Sequence, residues 1–141
     1  MPQLAEPARA RLRATTSLPP TRVKQLGQAA AAHAKGDFWN GRQRMARVRT
    51  TAKADVYEIH DALGTRRLMT VRLVAETKDG RTTARVDVDE AVYLKPSRIT
   101  RTKTPRVLAG HTFRQFLTAL ADGVRAADPD ANVKVREDLA P

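Results

Sequence analysis

Between residues 67 and 94, apolar and polar positions alternate along most of the chain. Met69, Val71, Leu73 and Ala75 alternate with Thr70, Arg72, Val74 and Glu76; Ala84, Val86, Val88, Val92 and Leu94 are interleaved with Arg85, Asp87, Asp89 and Tyr93. A repeat of two is the side-chain repeat of a strand with one buried face. Lys78-Asp79-Gly80 interrupts it with a turn signal. The pattern predicts a long antiparallel hairpin over about 67–94.

Two other stretches repeat at helical spacing. Val23, Leu26, Ala30 and Ala34 share one face of a helix expected over about 20–35, with Pro20 in its first turn and Gly36 beyond its end. His33 lies beside that stripe and is read as a packed or half-exposed side chain rather than a ligand. Phe113, Phe116, Leu117, Leu120, Val124 and Ala127 form the apolar face of a second helix, about 111–127, with Thr112 as a candidate cap. Asp128-Pro129 ends it.

The remaining elements are shorter. Asn40-Gly41 marks a turn, after which Ala46 and Val48 alternate with Arg47 and Arg49, as in a half-buried strand with a basic outer face. Residues 52–63 fit either structure, because Val56, Tyr57 and Ile59 favour a strand while Ala52, Val56, Ile59 and Leu63 fall at helical spacing. Strand is preferred. A helix there would give the order of a winged helix, but its Asp55, Glu58 and Asp61 are too acidic for a groove reader. Residues 132–136 suggest a short edge strand.

The expected architecture is therefore α+β: an antiparallel sheet of three to four strands, with both helices packed on one side. Residues 1–19, with Pro2, Pro7 and Pro19, read as a flexible basic tail ahead of a single domain at 20–136. Within that domain, 95–109 is a basic arm or loop, and 137–141 form a tail.

Charge sharpens this picture. The net charge is +11, but residues 1–50 contribute +8 and residues 91–114 contribute +6, the latter with no acid at all. The intervening residues 51–90 sum to −1 and residues 115–141 to −2. A composition rich in Ala and Arg raises net charge without segregating it, so the two basic blocks point to a polyanionic partner. The chain has no cysteine, which excludes a thiolate nucleophile and cysteine-type zinc sites. No stretch approaches the roughly 20 apolar residues of a membrane span.

Candidate chemistry is sparse. His33, His60 and His111 lack metal-ligand spacing, and no P-loop or G-x-S-x-G is present. Asp87 and Asp89 fall on one strand face and could share a cation, although a solvated face with Arg85 beside it for cross-strand pairing is the preferred account. Glu76-Thr77-Lys78 with Asp61 upstream matches the acid plus E-x-K set of metal-dependent nucleases, but it lies at a hairpin tip.

Two basic groups remain as candidate nucleic-acid contacts: Arg42, Arg44, Arg47 and Arg49, and the arm residues Lys95, Arg98, Arg101, Lys103 and Arg106. The expectation is a non-catalytic, cytoplasmic nucleic-acid-binding protein that uses backbone electrostatics without base reading, needing no cofactor or metal. The alternative is a structural subunit of a larger oligomeric assembly, such as a virion or secretion component. A metal-dependent nuclease is the third reading.

Overall fold

The alternating hairpin forms the centre of the fold because most of its apolar positions fall on one side. The computed structural model describes residues 11–34, 43–94, 106–107 and 109–136. Along the chain run β1 (Arg11–Thr16), α1 (Pro20–His33), β2 (Arg44–Thr50), β3 (Ala54–His60), β4 (Arg67–Lys78), β5 (Arg81–Ala91), β6 (Tyr93–Leu94), β7 (Arg106–Val107), α2 (Gly110–Ala127) and β8 (Asn132–Arg136). Six strands make one antiparallel sheet in the order β2-β3-β4-β5-β1-β8, and β6 pairs with β7 separately. The fold is α+β as expected, but the sheet has six strands rather than three to four.

The added strands explain the difference. Residues 11–16, expected within a flexible tail, form β1 between β5 and β8. Leu12, Ala14 and Thr16 alternate inward and are buried, so this short segment has a core-facing side despite its arginines. Residues 54–60 are strand β3, as preferred over a helix. At the β4–β5 turn Asp79 and Gly80 take φ of 54° and 76°. Two successive positive φ values match the right-handed twist of the flanking strands, which is why a Gly stands here.

Both helices pack on one face of the sheet, α1 mainly over β2 and β4 and α2 over β1 and β8. Met69, Val71, Leu73, Ala75, Ala84 and Val86 point into this layer with Phe113, Phe116, Leu117 and Leu120. Complete burial of such a side chain stabilises the fold by about 1.5–3 kcal/mol. Helix α1 approaches the sheet closely at Gly27, where a Cβ would lie 2.6 Å from Leu73 Cδ2 and 3.1 Å from the Tyr57 hydroxyl oxygen. Thr112 is not a helix cap: its hydroxyl donates to Gln43 Oε1 at 2.6 Å, tying the start of β2 to α2. Among the described residues, no helix is long and apolar enough to cross a membrane.

Strand β2 departs from the expected alternation. A register shift between Arg47 and Arg49 displaces Val48, which is 51% exposed, while Met45 takes the buried position. Two residues on from Met45 in regular register, Arg47 lies opposite Tyr57 on the helix-covered side, not on a basic outer face.

Candidate nucleic-acid interface

Neither helix packs on the other face of the sheet, and its side chains follow from strand parity. In β1, Arg11, Arg13 and Thr15 alternate with the buried Leu12, Ala14 and Thr16. In β8, Asn132, Lys134 and Arg136 alternate with Val133 and Val135, which pack on the core. In β5, Thr83 and Arg85 alternate with Thr82, Ala84 and Val86.

Register then assembles the site. Arg13 lies directly opposite Arg85 on one side and Lys134 on the other, forming a rung of three cations across β5, β1 and β8. Arg11 lies opposite Arg136. Adjacent strands are about 4.8 Å apart, so the three-cation rung spans only about 10 Å of backbone. Like charges directly opposite one another are destabilising, by roughly 0.2–1 kcal/mol per pair. Arg85 has an acid beside it, with Nε 2.6 Å from Asp87. Among the described residues Arg11, Arg13, Lys134 and Arg136 form no ion pair, and the buried Arg11 Nε has no hydrogen-bond partner.

The rung one step toward the other end of β1 is neutral. Thr15 lies opposite Thr83 and Asn132, and Thr83 opposite Glu76 of β4. The two rungs floor an open depression of about 350 Å³ bordered by Arg13, Arg85, Lys134, Thr15, Thr83 and Asn132.

The edge of this flank is anchored from below. Asp128, in the turn before β8, accepts from Thr16 Oγ1 at 2.6 Å, from the Ser17 backbone N–H at 2.9 Å and from Ser17 Oγ at 3.1 Å. The Thr16 hydroxyl bond, with the Ser17 backbone N–H after it, holds the Asp128 carboxyl below its ordinary range. This clamp joins the end of β1 to the approach of β8 and so supports their register.

The residues singled out by sequence are divided. Arg44 and Arg49 lie opposite His60 and Val56, on the open face at the far edge of the sheet. Four strand spacings, about 19 Å, separate β2 from β1. Arg47 is committed to structure instead: its Nη1 is 3.5 Å from Asp55 Oδ2, and Lys24 Nζ of α1 is 3.3 Å from Asp55 Oδ1. Asp55 is fully buried and also accepts from Thr50 Oγ1 at 2.5 Å. Burial, and then the neighbouring Asp55 carboxylate, push the Tyr57 hydroxyl well above its ordinary pKa. Arg42, Lys95, Arg98, Arg101 and Lys103 lie outside the described residues, and Arg106 belongs to β7, opposite Leu94.

The carboxylate candidates do not converge. Asp87 pairs with Arg85 and Asp89 with Arg72 at 2.9 Å. Asp61 accepts from the Thr65 backbone N–H in the β3–β4 turn, at the opposite end of β4 from Glu76, roughly 30 Å away by strand rise. Glu76 instead lies 3.8 Å from Lys53. Among the described residues no group of three His, Cys, Asp or Glu could hold a metal ion.

Sequence reasoning missed Arg11, Arg13, Lys134 and Arg136 as site residues. Their signal was present in the alternations R-L-R-A-T and N-V-K-V-R. What no single segment carries is the register that sets them opposite one another. No family model, curated protein or solved structure matches this chain. The side chains themselves are the guide to its function.

Proposed function

We propose that this is a non-catalytic nucleic-acid-binding protein that grips the phosphate backbone, without reading bases, on the open face of its sheet. The observation that carries this reading is the rung Arg85–Arg13–Lys134 with the adjacent Arg11–Arg136 pair. Such an arrangement costs stability in the free protein, and a polyanion laid across it removes the repulsion and releases counterions. Arg44 and Arg49 supply a second contact on the same face. The arm cations Lys95, Arg98, Arg101, Lys103 and Arg106, with Arg42, add to it in this proposal. Phosphate contacts of this kind position a protein without conferring sequence specificity.

The test is fluorescence anisotropy of labelled duplexes across a salt series. Each phosphate neutralised on a duplex contributes about −0.9 to the slope of log K against log salt. Changing Arg11, Arg13, Lys134 and Arg136 together to Gln should therefore reduce the slope by about 3.6, for every sequence tried. An unchanged slope would remove the sheet face from the binding surface.

A second reading, a subunit of an oligomeric assembly, draws on the same open face and on the sheet's terminal strands β2 and β8. Cations on both strands oppose direct pairing of the two edges. A concentration-independent oligomer without nucleic acid, measured by sedimentation, would favour it.

A further inference from the structure

Beside the cationic rung lies a rung whose chemistry suits something other than phosphate. Thr83, Thr15 and Asn132 sit side by side on β5, β1 and β8, and Glu76 of β4 continues the row opposite Thr83. Thr83 and Asn132 are exposed and Thr15 is half-buried. Among the described residues none of these three side chains forms a hydrogen bond, so their donors and acceptors face the depression unspent. Two residues along a strand place this row about 6.7 Å from the Arg85–Arg13–Lys134 rung. A phosphate would be repelled by Glu76, whereas a hydroxyl can donate to it.

A nucleic-acid backbone presents that combination only when its sugar is ribose. Its phosphates carry charge, and each intervening 2′-hydroxyl both donates and accepts a hydrogen bond; the 2′-hydroxyl is the group by which proteins distinguish RNA from DNA. We infer that the depression is a ribose-phosphate site, the cationic rung taking a phosphate and the Thr83–Thr15–Asn132 rung an adjacent 2′-hydroxyl, so that the protein prefers RNA to DNA. This inference rests on the backbone-binding reading above and specifies which backbone.

The experiment compares an RNA and a DNA duplex of about 20 base pairs and identical sequence, at one salt concentration, by anisotropy. The wild-type protein should bind the RNA about ten-fold more tightly, the effect of one or two added hydrogen bonds. The triple variant Thr15→Val, Thr83→Val, Asn132→Ala should lose that preference. Its affinity for DNA and its salt slope should stay at wild-type values, which also shows that it is folded. Equal binding of RNA and DNA by the wild type would overturn the ribose assignment while leaving backbone binding intact. So would a triple variant that keeps its RNA preference. Failure to bind either duplex at low salt would overturn both readings.

Discussion

The open face of the sheet holds two arginine-rich regions that treat charge in opposite ways. In the centre, on β3, β4 and β5, cations are matched: Arg72 with Asp89 at 2.9 Å, Arg67 with Glu90 at 2.9 Å and with Glu58 at 3.4 Å. On the β1–β8 flank, Arg11, Arg13, Lys134 and Arg136 face one another with no described acid among them. Both regions are antiparallel strands of the same sheet. The difference lies in which residues the register sets opposite, and it separates arginines that neutralise neighbours from those that no described acid neutralises. Exposed matched pairs contribute at most about 1 kcal/mol each, so the centre is a solvated surface and the flank is the candidate site.

The largest expected effect follows from neutralising the flank. The four-fold Gln change at Arg11, Arg13, Lys134 and Arg136 should weaken duplex binding strongly at about 50 mM salt, and the deficit relative to wild type should shrink by roughly 100-fold when salt is raised to about 200 mM. Arg72→Gln in the centre, assayed in parallel by anisotropy, should leave affinity within about two-fold, since Arg72 is already matched by Asp89.

Next in size is a control on the helix-covered side. Asp55→Ala leaves Lys24 and Arg47 without their carboxylate. It should cost about 3 kcal/mol in chemical denaturation, at the lower end for a buried pair because both cations reach solvent. Arg47→Gln should likewise lower stability yet leave the salt slope of binding unchanged, in contrast to Arg44→Gln and Arg49→Gln.

A pH effect should distinguish the two regions further. The depressed Asp128 carboxyl stabilises the fold above the ordinary aspartate pKa of about 3.9, and this contribution is lost as pH falls through the lower folded value. Hydrogen exchange below about pH 4 should therefore show β1 and β8 opening before β3 and β4. Thr16→Val removes the principal hydrogen bond, so it should raise the Asp128 pKa and shift that opening to higher pH, as followed by carboxyl NMR titration.

The smallest expected change is a gain. Arg136→Thr relieves the direct opposition to Arg11 and should raise stability by about 0.5 kcal/mol in thermal unfolding, while weakening duplex binding. Stability and binding moving in opposite directions is the signature of a charge retained for a ligand.

Much of the fold was legible in the sequence because its signals are local. The hairpin showed itself through uninterrupted alternation and Asp79-Gly80, and the helices through stripes such as Phe113, Phe116, Leu117 and Leu120. Strand β1 was not legible. It is six residues long and follows a stretch broken by Pro2 and Pro7, and its partners are distant in sequence: Leu12 faces Val86 and Val135. The site was hidden for the same reason, since its rungs draw on three strands far apart in the chain. Segregated charge selected Arg47 among the basic candidates, but Arg47 shares the core-facing side of β2 with Met45 and meets Asp55.

The most direct test of the flank as the binding surface is an NMR titration of arginine Nε–H resonances with a short nucleic-acid duplex at low salt. The account predicts that Arg11, Arg13 and Arg136 shift together and saturate, while Arg67 and Arg72, matched by acids, stay in place. Shifts confined to Arg67 and Arg72, or to arginines on the helix-covered side, would contradict it.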